Sequence, residues 1–248
     1  MTDRIADITP RTYARTAGLG YLMIIVCGIF AEFFARGSLI VPGDAVATAG
    51  NIAASEQLFR IGIAGDLIML LSDVVLAWAL YAIFKPVHAS LAMLAAFLRL
   101  VHAAVYGANL LNLFMVLRLL SGANELGGFD AGHLQSLVSL FLNGHSTGYL
   151  IGLVFFGLHC AVLGYLIYRS GYIPRILGIL LLFAAFGYLV DCFAQVLMPN
   201  YQAVQSIFML IVFVPAFIGE LSLSLWLLLA GGKKPEFMAG LDSTELTD

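Results

Sequence analysis

Arg99, His102, Tyr106 and Asn109 lie within Leu91–Leu120, a run apolar enough and long enough to cross a membrane. Their spacing of i, i+3, i+7 and i+10 puts all four on one stripe of a helix. A guanidinium at the centre of a bilayer costs about 2.5–3.5 kcal/mol on insertion scales, so such a stripe faces other helices or a wet cavity. Two chemistries suit an arginine that meets carboxylates in that setting: recognition of an anion, and a proton-coupled change of partner. Asp66 and Asp73 on the preceding apolar run share one face and are the candidate carboxylates. His145, Tyr149 and Asp191 come from later runs. A third chemistry is metal-assisted hydrolysis of lipid. His102, His145 and Asp66 make a zinc-type set, and three ligands plus water form a catalytic site. No HExxH motif or HxxxH pair supports it, and no nucleophile elbow is read from the chain. A haem held between His102 and His145 is a weaker variant of the same idea, and the residues name no cofactor.

The elements that must position these residues are transmembrane helices. Of 248 residues, 61% are hydrophobic and 11% charged, with a mean hydropathy of +0.97. Soluble domains carry about 25% charged residues, so the composition belongs to an integral membrane protein. The net charge of −3 argues against nucleic acid, which needs a basic surface. Six apolar segments are read at 15–35, 58–84, 90–120, 135–168, 174–198 and 205–231, each near or above the ~20 residues that span a bilayer. The expected fold is an all-α bundle over residues 1–232, followed by a disordered cytoplasmic tail, 233–248. The first apolar run exceeds a signal-peptide core and lacks a cleavage site, so it reads as a retained span. Cys27, Cys160 and Cys192 fall in apolar runs without metal-type spacing and read as small buried hydrophobes.

Orientation follows from the loop cations. Arg4, Arg11, Arg15, Lys85, Arg169, Arg175, Lys233 and Lys234 fall on one side, against Arg36, Arg60 and Arg118 on the other. Both termini are therefore expected in the cytoplasm. Sorting the polar residues by depth then predicts one outward-facing cavity lined by spans two to five, built from Asp66, Asp73, Arg99, His102, Tyr106, Asn109, His145, Tyr149 and Asp191. Glu32, Arg60 and Glu220 are read as snorkelling to the interface. His159 is read as a hydrogen-bonded packing residue. Pro42-Gly43 marks a turn, with Asp44 capping a short surface helix over Ala45–Glu56. Gly144, Gly148 and Gly152 form a small-xxx-small row for close helix approach. Leucine at Gly148 is therefore expected to do more damage than at Gly178.

Three stretches carry a family likeness: EFFARGSLIVPGDAVATAGNIAASEQLFRIGIAGDLIMLLSDVVLAWALY, FLRLVHAAVYGANLLNL and HSTGYLIGLVFFGLHCAVLGYLIYRSGYIPRILG. From about Arg11 to the end of the sixth span, the chain resembles the bacterial membrane proteins grouped as domain of unknown function 4386. The resemblance implies a multi-pass inner-membrane protein and lends no residue a catalytic role. The functional expectation is binding or transport of a small or amphipathic molecule. The alternatives are an intramembrane metal-dependent hydrolase, and a structural or regulatory subunit that pairs with itself or with another protein.

Overall fold

A computed structural model describes residues 9–121 and 130–231; the tail after residue 231 lies outside the described residues. The elements are α1 (Pro10–Ile29), a π-helical turn (Phe30–Arg36), α2 (Gly37–Leu39), α3 (Ala45–Ala54), α4 (Glu56–Phe84), α5 (Ala89–Ser121), α6 (Ala131–Ser170), α7 (Arg175–Leu197), a 3-10 turn (Tyr201–Ala203), α8 (Gln205–Trp226) and a closing π turn (Leu227–Gly231). No strand occurs among the described residues. Six helices are long and apolar enough to cross a membrane: Pro10–Leu39, Glu56–Phe84, Ala89–Ser121, Gly132–Ser170, Arg175–Leu197 and Gln205–Gly231. They match the six expected segments. Leu71, Phe183, Phe186, Val196, Leu197 and Leu210 are among the many large apolar side chains left exposed. So much outward apolar surface suits a lipid solvent and not water.

The described chain forms two compact units whose boundaries fall inside helices. One holds the chain up to Leu22, Ser72–His102 and Leu153 onward; the other holds Met23–Leu71 and Ala103–Gly152. The second unit has its own core, in which Leu39, Ile52 and Phe59 pack with Leu110, Leu113, Val116 and Val138. Its Pro42-Gly43 turn forms as expected. Gly43 has φ +79°, a conformation glycine adopts without strain, and Asp44 N–H donates to Val41 O at 3.1 Å. Asp44 then caps α3, accepting from the Ala47 N–H at 2.8 Å. Because Ala49 and Ile52 join the core, α3 is packed into this unit along one face.

In the first unit, α6 and α7 touch backbone to backbone. A Cβ added at Gly178 would lie 2.6 Å from Gly164 O and 2.8 Å from Tyr168 N. The sequence reading ranks Gly178 below Gly148 in sensitivity; at Gly178 the close neighbour is backbone. A Cβ at Gly148 would meet the Asn109 side chain, with Oδ1 at 2.2 Å. Side chains can shift where backbone cannot. Gly178→Ala should therefore cost about 1–3 kcal/mol by overpacking, while Gly50→Ala, whose Cβ meets nothing within 4 Å, should be silent. Folded yield and melting temperature in detergent check the ranking; equal values for the two variants would mean the helices do not meet at Gly178.

Candidate functional site

Each unit contains its own buried arginine centre. In the first, Arg99 on α5 is fully enclosed, and Asp73 on α4 is 2% exposed. Arg99 Nη2 lies 2.6 Å from Asp73 Oδ1. The charges are neutralised at that distance, but the line of approach is not that of a hydrogen bond. Arg99 Nε, Arg99 Nη2 and Asp73 Oδ1 are thus buried with no hydrogen-bond partner. Of the two candidate carboxylates, Asp73 is the one that meets Arg99.

The third nitrogen of Arg99 identifies the state of a histidine. Arg99 Nη1 is 2.9 Å from His159 Nε2, and His159 Nδ1 is 2.8 Å from Ala95 O. Guanidinium only donates and a carbonyl only accepts, so the ring carries its hydrogen on Nδ1 and accepts at Nε2. His159 is a neutral, hydrogen-bonded member of the centre. The guanidinium also sits over two rings, 5.1 Å from the Tyr21 centroid and 5.3 Å from that of Phe156. His102 Nε2 is 3.9 Å from Asp73 Oδ2, with its ring 5.0 Å from Phe156. Glu220 on α8, expected at the interface, is instead buried.

In the second unit the arginine is Arg36, which the sequence reading had counted as a loop cation. It is buried at the end of the π-helical turn, where Gly37 N–H bonds back to Glu32 O. Arg36 Nη2 donates to Asp66 Oδ1 at 3.2 Å, Nη1 donates to Asp66 Oδ2, and Nε donates to Glu32 Oε2 at 2.9 Å. Tyr106 OH gives Asp66 Oδ1 a further bond of 2.9 Å. Every nitrogen of Arg36 is used, unlike those of Arg99.

Beside this pair runs an amide–imidazole group. Asn109 Nδ2 donates to His145 O at 2.8 Å and lies 3.1 Å from His145 Nδ1, which must therefore accept. Asn112 Nδ2 fixes the other end by donating to Asn109 Oδ1 at 2.9 Å. Gly144 and Gly148 make room for Asn112 and Asn109 respectively, so part of the glycine row receives polar side chains. Tyr149 meets the Tyr106 ring edge-on at 5.3 Å.

The nine sequence candidates are therefore distributed. Asp73, Arg99 and His102 belong to one centre, and Asp66, Tyr106, Asn109, His145 and Tyr149 to the other. Asp191 does neither job: Gln195 Nε2 donates to its Oδ2 at 2.8 Å and Tyr201 OH to its Oδ1. Among the described residues, no three His, Cys, Asp or Glu side chains are grouped to hold a metal, so His102, His145 and Asp66 are not assembled as ligands. The cysteines are free thiols. One motif was passed over in the sequence: Gly144–Gly148, GHSTG, spells G-x-S-x-G. Helix α6 runs straight through it, and Ser146 Oγ bonds to Leu142 O at 3.3 Å, so it lacks the strand–turn–helix setting of a nucleophile elbow.

The chain is similar to an uncharacterised protein of Archaeoglobus fulgidus, with 28% identity over 177 residues, 71% of this chain and 88% of that one. No solved structure matches it. A family model described as domain of unknown function DUF4386 matches residues 16–231, and on that match the chain belongs to the DUF4386 family.

Proposed function

We propose that this protein binds or transports a small or amphipathic molecule with an anionic group, and that Arg99 is the group that recognises it. The observation that carries this reading is the incomplete coordination of Arg99. A purely architectural arginine, such as Arg36, engages every guanidinium nitrogen in a hydrogen bond; Arg99 is sealed from solvent with no hydrogen bond at Nε or Nη2. Buried donors without acceptors are costly, and an arginine fork suits a carboxylate or phosphate. The enclosed centre is read here as the closed state of a site that opens outward. Uptake of labelled small carboxylates and phosphate esters into proteoliposomes, with and without a proton gradient, tests the proposal. Saturable uptake that falls at least tenfold in Arg99→Gln is expected; uptake equal to that of empty liposomes for the whole set would refute it.

The same reading places the chain in the plasma (inner) membrane with both termini cytoplasmic. Arg36 is no longer a loop cation, which leaves only Arg60 and Arg118 opposite the eight cations of the other side and sharpens the asymmetry. Reporter fusions after Ser121 and after Asp248 should report opposite sides; the same side for both would overturn the orientation.

A further inference from the structure

Asp73 faces two basic side chains that stand one turn apart on α5. Its Oδ1 lies 2.6 Å from Arg99 Nη2, and its Oδ2 lies 3.9 Å from His102 Nε2. Oδ1 accepts no hydrogen bond, so the carboxylate is matched in charge but not fixed in direction. The gap to the imidazole is too long for a hydrogen bond. A shift of about 1 Å would close it to the length of a charge-assisted one, and an imidazolium is drawn across it more strongly than a neutral ring.

The other groups of the centre leave this role to His102. His159 cannot take a second proton where it stands. Its Nδ1 donates to Ala95 O, and a hydrogen on Nε2 would point at Arg99 Nη1, itself a donor. Tyr21 on α1 lies against the guanidinium and Cys160 on α6 is a buried free thiol; both are neutral in their ordinary forms. Phe156 on α6, 5.0 Å from the His102 ring, carries no charge. Glu220 on α8 is buried and makes no ion pair or hydrogen bond among the described residues. The groups in ionic contact are thus one guanidinium, one carboxylate and one imidazole. They are neutral together when His102 is neutral, and carry one positive charge when it is protonated.

We propose that His102 is a proton-binding site whose imidazolium shares Asp73 with Arg99, and that the charge so added is neutralised by the ligand anion. The second half rests on the carrier reading; the first does not. The proton comes from the aqueous phase and returns to it. With the ring neutral, Asp73 alone balances Arg99. With the ring protonated, Asp73 Oδ2 closes on His102 Nε2 while Oδ1 stays with Arg99 Nη2. The guanidinium keeps Nε, which has no hydrogen bond, to offer the anion. Proton and monoanion enter together, and the buried charge ends where it began.

Nitrogen NMR of the full chain in lipid nanodiscs, with labelled histidine rings, tests the site through a pH titration without added anion. The chain has five histidines. The two exposed ones, His88 and His133, are replaced by glutamine so that three rings remain. One of these is expected to gain a proton between about pH 8 and pH 5, the range in which imidazoles change charge. The other two should stay neutral, His159 with its hydrogen on Nδ1 and His145 with its hydrogen on Nε2. Of the three, His102 is the ring beside an aspartate. Below its midpoint, Nε2 of the titrating ring should therefore come close to an aspartate carboxyl carbon, and its signal should persist in His145→Gln. No titrating ring would overturn the proposal. So would a titrating ring with no carboxyl carbon near it, or one that vanishes in His145→Gln. The carboxyl contact is read with His102, Asp73 and Arg99 all in place, so no variant of the centre has to fold. Acetate or methyl phosphate should then raise the midpoint by about one pH unit for each tenfold preference of the anion for the protonated centre. A midpoint that ignores both anions would overturn the second half. The titration is read without transport, so a His102 that titrates in a protein that moves no anion refutes the carrier reading and leaves the proton site standing.

Discussion

Arg99→Met will lower the stability of the folded protein by about 3–5 kcal/mol, the usual cost of leaving one member of a buried ion pair without its partner. Asp73 is nearly sealed, and its close cation is lost. Asp73→Asn should cost a similar amount, since Arg99 would keep only His159 Nε2 and the faces of Tyr21 and Phe156. The double variant Arg99→Met/Asp73→Asn should be better than the sum of the singles by well over ~0.5 kcal/mol, the ordinary scatter of additive pairs. Thermal melts in one detergent measure all four corners of the cycle. Strict additivity would show that the 2.6 Å contact carries no coupling. A folded Arg99→Met protein that has lost anion uptake would separate recognition from architecture.

The second large effect belongs to the other unit. Asp66→Asn removes the charge that meets two nitrogens of Arg36 and weakens the acceptor for Tyr106 OH. The expected cost is again about 3–5 kcal/mol. Tyr106→Phe, which deletes one hydrogen bond to a charged group, should cost about 1.5–3 kcal/mol. Glu32→Gln should cost at most ~1 kcal/mol, because that side chain is 61% exposed and screened by its surroundings. The order Asp66, Tyr106, Glu32 in denaturation midpoints is the test. A Glu32 variant as damaging as Asp66→Asn would mean that Arg36 is anchored from the surface and not from α4.

The spans were legible because a bilayer imposes a length and a composition that few soluble helices share. Asp73 was legible as a partner because a buried guanidinium demands a carboxylate, and only the preceding span offered any on one face. Arg36 was not. It stands at the end of a span, where a cation usually reaches the head groups, and nothing in EFFAR announces the π-helical turn that precedes its burial. Glu220 was misplaced too: depth along α8 cannot be counted from the sequence without the packing of the helix, and α8 carries Pro215. Depth and periodicity alone grouped the nine candidates into one cavity. Arg99, His102, Tyr106 and Asn109 do share a stripe, but ten residues of helix extend about 15 Å. That is long enough to serve two centres, as the division of α5 after His102 shows. The backbone approach at Gly178 was not legible because a lone glycine has no pattern; its partner Gly164 is on another helix.

The backbone contact between Gly164 and Gly178 also sets how this unit can move. Sliding or rolling of α7 on the Leu153–Ser170 part of α6 would drive main-chain atoms into one another, so the two helices travel as one lever. Tyr172 OH, bonded to Ile83 O at 2.7 Å, ties the elbow of that lever to the end of α4, where a pivot would act. His159 rides on the lever while Ala95 and Arg99 do not, so a swing has to break both bonds of the imidazole, Nδ1 to Ala95 O and Nε2 to Arg99 Nη1.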